Sequence, residues 1–137
     1  MIKSELVVVR DYEPSDKNFI YSTFLRGLYY GDSWFTLIDK DIFMENYHKI
    51  LTALVESPKT KIKVACLKDD KDVILAYAIL DTSDTTLHYV FCKAAWRAIG
   101  IAKMLVPSTI TTVTHLTLAG IGILKKRPEI KFNPFFS

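Results

Sequence analysis

Val90-Phe91-Cys92-Lys93-Ala94-Ala95-Trp96-Arg97-Ala98-Ile99-Gly100-Ile101-Ala102 is the stretch on which the reading of this chain turns. A strand-like run ends at Cys92, a short loop follows, and the loop opens a helix. The first turn of a helix leaves backbone N–H groups without partners, and their converging dipoles favour a phosphate. Gly100 lets the backbone approach closely. Ala98 and Ala102 keep side chains out of the way, and Arg97 supplies fixed positive charge.

Working back from this segment, the pattern alternates. Lys61 to Leu67, Val73 to Leu80 and Thr86 to Cys92 read as three antiparallel strands, joined by the polar turns 68–72 and 81–84. Before them come two helices. Ile20, Phe24 and Leu28 recur every four residues after a start at Pro14-Ser15-Asp16. Phe43, Tyr47, Ile50, Leu51 and Leu54 form the second stripe, capped by Asp39 or Asp41 and ended by Ser57-Pro58. Leu6 to Arg10 is a first strand. Forward of the segment, Pro107 is a break, Thr111 to His115 a short strand, Leu116 to Lys126 a helix and Ile130 to Phe132 a last strand. The order is βααβββαβαβ, an α+β domain over 1–137 with a mixed central sheet flanked by helices.

Composition narrows the classes. The chain has 137 residues, half of them hydrophobic, with 5 Gly and 5 Pro, which excludes a low-complexity or disordered chain. Cys66 and Cys92, in apolar runs, exclude a disulfide scaffold and a Cys-based zinc site. No apolar stretch reaches the ~18 residues of a membrane span, and 6–9 is too short for a signal peptide. A cytoplasmic protein without metal is expected. Lys59, Lys61, Lys63 and Lys125, Lys126, Arg127 are charge runs without a nucleic-acid-binding signature, so no nucleic-acid partner is expected. The net charge of +3 divides unevenly. Residues 1–85 hold 11 Lys and Arg against 14 acids, while residues 86–137 hold 7 against Glu129 alone.

Arg97, Gly100 and Ala102, set after a three-strand meander preceded by one strand and two helices, resemble motif A of the GNAT superfamily of N-acetyltransferases, Arg/Gln-x-x-Gly-x-Gly/Ala. The chain also looks like small members carried by bacteriophages, which would place it in a bacterial host cell. The resemblance spans about residues 5 to 133 and is strongest from 73 to 106. Ala98 stands where the family usually has Gly, Ala94 where Pro is common, and the tail is short for the usual closing hairpin. The resemblance implies an acetyl-CoA site made by Phe91, Cys92, Lys93, Arg97, Ala98, Ile99, Gly100, Ile101 and Ala102. The N–H of Cys92 would face the thioester carbonyl, and the backbone of Phe91 to Lys93 would pair with the pantetheine arm.

Acetyl transfer needs a base for the amine and an acid for the leaving thiolate. His88 takes the position, four residues before Cys92, where the family often has Glu. Even spacing on a strand sets His88, Val90 and Cys92 on one face. No Tyr follows Tyr89, so the family's usual acid is missing, and His115, or a hydroxyl of Thr114 or Thr117, is its candidate substitute. Both histidines also have plain structural readings, and His48 is read only so. The acceptor would lie over the two N-terminal helices, where Tyr30, Asp32 and Trp34 suit a cationic amine. These aromatics equally suit a core.

Two functions of different kinds are compatible with these residues. One is an acetyl-CoA-dependent N-acetyltransferase acting by direct attack of an amine, on a small molecule or a protein. The other is a non-catalytic module of the same fold that binds a partner protein. A homodimer completed at the short C-terminal strand is a further expectation.

Overall fold

Alternating β-formers and two apolar helical stripes build the molecule in the expected order. The computed structural model describes residues 3–31, 35–115 and 118–134. Its elements are β1 (Val7–Asp11), α1 (Lys17–Gly31), α2 (Lys40–Glu56), β2 (Thr60–Leu67), β3 (Ile74–Asp81), β4 (Thr86–Cys92), α3 (Ile101–Leu105), β5 (Thr112–Val113), α4 (Leu118–Lys126) and β6 (Lys131–Phe132). Short 3-10 turns cover Lys3–Leu6, Pro14–Asp16, Phe35–Leu37 and Ala94–Ile99.

The helix boundaries have local causes. Asp16 accepts from the Glu13 N–H at 2.8 Å and closes a capping box before α1. Asp39 Oδ1 accepts from the N–H groups of Asp41 and Ile42 and caps α2. Ser57, extended before Pro58, stops α2.

The six strands lie in sequence order. β1 to β4 pair antiparallel, whereas β4–β5 and β5–β6 are parallel. β3 is buried from Ile74 to Leu80 because helices cover both faces of the sheet. On one face, α1 and α2 bring Ile20, Phe24, Leu28, Phe43 and Leu51 onto Tyr77, Ile79 and Tyr89. On the other, α3 and its flanks bring Ile101, Leu105 and Ile110 onto Ala78, Leu80, Leu87 and Val90. Each such large side chain contributes about 1.5–3 kcal/mol by burial. α1 passes close to the sheet at Gly27, where a Cβ would lie 2.6 Å from the Tyr89 hydroxyl. Among the described residues, no helix is long and apolar enough to cross a membrane.

Two differences from the sequence-based expectation bear on function. The strand expected over 111–115 is only Thr112–Val113. The helix expected to open directly at the motif is instead a 3-10 segment, Ala94–Ile99. Gly100 follows in the left-handed region (φ 83°), and only then does the five-residue α3 begin. Gly is the residue that takes this conformation without steric cost, so Gly100 turns the chain between two short helices.

Candidate acyl-coenzyme A site and its paired imidazoles

The site begins with a register change in β4. Ile79 pairs with Tyr89, but Leu80 pairs with Leu87, so His88 is an extra residue in the ladder. Such a bulge bends a strand and re-aims the residues beyond it. Past the bulge, Lys93 N–H bonds to Leu75 O at 2.9 Å. Hydrogen-bonded pairs alternate along an antiparallel ladder. Phe91 and Tyr89 therefore bond toward β3, while Cys92 and Val90 turn their N–H and C=O groups away from it.

On that outward side β5 gives little cover. It pairs with Thr86 and Leu87 only, and its last ladder-like bond runs from Thr114 N–H to Leu87 O. β4 and β5 then diverge. A cleft of about 660 Å³ lies at the Cys92 end of β4, lined by Cys92, Arg97, Gly100, Ala102, Lys103, Val106, Gly122, Ile123, Lys126 and Arg127; His88 and His115 are not among its lining residues. One wall is the motif segment with α3, and the other is α4. Four of the lining side chains are cationic and none is acidic.

The cations differ in availability. Arg97 Nε donates to Cys92 O at 3.0 Å and folds the motif back onto the strand end. Arg127 donates to the carbonyls of Pro107, Ser108 and Ile110 and to Glu129, so it is a clasp for the wall. Among the described residues, neither Lys103 nor Lys126 is tied to another side chain. Burial pushes the Cys92 thiol up from its usual range, against the nearby Arg97 charge; it is a poor nucleophile and its side chain serves as floor.

The structure distributes the expected cofactor residues. Cys92, Arg97, Gly100 and Ala102 come together on the cleft. Phe91 turns to the opposite face and stacks on Tyr77 at 5.4 Å. Lys93 Nζ lies over the Phe19 ring at 5.4 Å. Ile101 is fully buried and Ile99 packs against the same core. The side chain of Ala98 is outside the described set. Lys103, Gly122 and Ile123 line the cleft with no mark in the sequence, and Lys126 and Arg127 join them from the charge run at the end of the last helix.

The two candidate histidines meet at the bulge. His88 Nδ1 lies 3.0 Å from Thr114 Oγ1, and His115 Nδ1 lies 3.1 Å from the same oxygen. His115 Nδ1 is also 3.2 Å from His88 O, an atom that can only accept. A proton on His115 Nδ1 satisfies that carbonyl, which leaves Nε2 as the basic nitrogen. The His115 ring packs edge-on to Phe24 of α1 and Tyr47 of α2, on the face of the two N-terminal helices. Desolvation lowers the pKa of both imidazoles; Asp81 opposes it for His88, and His88 O opposes it for His115. Both rings are therefore neutral at neutral pH and able to accept a proton.

Of the expected acceptor residues, Tyr30 is exposed, and Lys40 Nζ already lies 5.5 Å over its ring. Asp32 and Trp34 lie outside the described residues, as does Thr117. His48 packs edge-on to Tyr21 at 5.1 Å. Among the described residues, no group of three or more His, Cys, Asp or Glu could hold a metal ion.

The mixed six-strand sheet flanked by helices is a GNAT-like α+β fold, and solved structures share it. A putative acetyl transferase from Pyrococcus furiosus matches with a TM-score of 0.59 at 15% identity, over 93% of this chain and 81% of that one. A possible acetyltransferase from Clostridium difficile 630 matches at 0.50 and 15% identity, over 93% and 76%. The apo-form of YjaB from Escherichia coli matches at 0.50 and 13% identity, over 92% and 69%. No protein-family model matches the chain, and no curated protein matches it in sequence.

Proposed function

We propose that the protein is an acetyl-CoA-dependent N-acetyltransferase, in which an amine attacks the thioester directly. The observation that carries this reading is the parting of β4 from β5. It leaves the Cys92 N–H turned away from β3, beside a cleft flanked by Lys103, Lys126 and Arg97. A pantetheine arm pairs with such a strand edge by main-chain bonds, and a pyrophosphate suits the cationic walls. The N–H of Cys92 polarises the thioester carbonyl and stabilises the oxyanion.

The amine enters from the α1–α2 side, where the His115 ring packs against Tyr47. His115 Nε2 takes its proton, and the thiolate of CoA leaves along the cleft. The acceptor is an amine-bearing small molecule or protein. The likeness to bacteriophage-encoded members and a cytoplasmic setting rest on the sequence alone.

Three measurements test the reading. Acetyl-CoA should raise the melting temperature, and Lys126→Ala should weaken its binding about fivefold, the share of one phosphate contact at a partly exposed site. CoA release with pooled amines should then appear. Stabilisation without release with any amine would favour a non-catalytic module of the same fold, and absence of stabilisation would end the acyl-CoA reading.

A further inference from the structure

We infer that Thr114 joins His88 and His115 into one proton-sharing unit, a positioning and relay residue for the transfer proposed above. The inference rests on that reading for its direction and on the Thr114 hydroxyl for its existence.

Thr114 is buried, at 2% exposure. Its single hydroxyl oxygen stands within hydrogen-bond distance of both Nδ1 atoms, at 3.0 and 3.1 Å. It also lies 3.3 Å from His88 O. One arrangement of protons serves both imidazole contacts and the His115 Nδ1–His88 O contact, and leaves the longer Thr114 Oγ1–His88 O approach without a proton. His115 Nδ1–H donates to Thr114 Oγ1 and His88 O, and Thr114 O–H donates to His88 Nδ1. His88 then carries its own proton on Nε2, and His115 Nε2 is bare. Among the described residues neither Nε2 has a hydrogen-bond partner.

The proton balance is set by this arrangement. The amine gives one proton to His115 Nε2. The proton on His115 Nδ1 passes to Thr114 Oγ1, and the Thr114 hydroxyl proton passes to His88 Nδ1. His88 gives its Nε2 proton to the departing thiolate. One proton enters, one leaves, and the amine nitrogen forms the bond that the sulfur loses. The unit can hold one positive charge but resists two, because the rings share a single bridging oxygen in a desolvated place. The titratable neighbours are Asp81 for His88 and Tyr47 for His115. This unit fills the role left open by the lack of a tyrosine after Tyr89.

Thr114→Val keeps the shape and removes the hydroxyl, while Thr114→Ser keeps the hydroxyl. In the full chain, Thr114→Val should lower kcat at least about tenfold, the low side of one proton-transfer group's contribution. The acetyl-CoA KM should stay within about twofold, and Thr114→Ser should restore most of kcat. Nitrogen NMR of the two imidazoles gives a second readout that needs no turnover. In the wild-type chain the rings should titrate as a coupled pair, and in Thr114→Val as two independent groups. Wild-type kcat in Thr114→Val, an equal loss in Thr114→Ser, or independent titration in the wild-type chain would each overturn the unit. If no amine is turned over, the acetyltransferase reading fails by itself, and the titration alone decides whether the proton is shared.

Discussion

The antiparallel and parallel halves of the sheet are built on different terms. β1 to β4 have five, eight, eight and seven residues and satisfy one another through long ladders. β5 and β6 have two residues each. Buried backbone groups must still find partners, and in the parallel half side chains supply them. His115 serves His88 O, Arg97 serves Cys92 O, and Arg127 serves three carbonyls of 107–110. Where a ladder would have closed the sheet, single side chains hold it partly open. The open part is the cleft.

The sharpest way to break this contrast is in the antiparallel half. Arg10 donates to both Asp16 oxygens at 2.7 and 2.8 Å, and Asp16 is nearly buried. Asp16→Asn leaves the Arg10 charge without its partner and should cost about 3 kcal/mol, read as a lower denaturant midpoint with unchanged slope. The Arg10 guanidinium holds the Asp16 carboxyl below its usual 3.8. Its contribution is therefore present above 3.8 and lost as the pH falls through the lower folded value. In the parallel half, Arg127→Met should cost about 2 kcal/mol, a few charge-assisted bonds at a partly exposed site. Hydrogen exchange should quicken over 107–113 while β2 and β3 stay protected; uniform quickening would show that the halves are not separate. Gly27→Ala gains helix propensity of about 1 kcal/mol but meets the hydroxyl of the buried Tyr89 at a cost of about 1–3 kcal/mol. A net loss of about 1 kcal/mol is expected, and any gain in stability would show that Tyr89 yields.

The same contrast explains what was legible in the sequence. Periodicity reveals the long elements, while β5, β6 and α3 are legible only as places in the order. It gives Ile20, Phe24 and Leu28 as one face because a helix repeats them. It cannot show the bulge at His88, because a bulge is a mismatch between two strands and one strand carries no mark of it. His88, Val90 and Cys92 have even spacing, yet His88 stands outside the regular ladder that Val90 and Cys92 share. The 3-10 segment escaped for a similar reason: Ala94 to Ile99 has good helix formers, and only Gly100 in the left-handed region divides it from α3. Charge alone marks Arg97 as a cation, and only the fold shows that its Nε donates to Cys92 O while the residue lines the cleft. The cleft's far wall depends on where α4 returns, which no local pattern contains.

The smallest effect at neutral pH sits at the junction of the halves and sharpens the contrast by its pH window. His88 and His115 are held below the usual 6.5 by desolvation. In the unfolded chain both take up protons near 6.5, while the folded chain resists until lower pH. The unfolded state thus binds more protons in that interval, so stability is full above about 6.5 and falls as the pH falls toward the folded values. The Asp16 contribution begins to decline only below 3.8, so the two losses set in at different pH. Melting temperatures should therefore begin to drop as the pH falls below about 6.5 in the wild-type chain. Replacing both histidines by Gln should flatten that slope and leave the acid limb from Asp16 in place. If the slope survives the double replacement, the junction is not where the fold senses pH, and the imidazoles are more open to water than their burial requires.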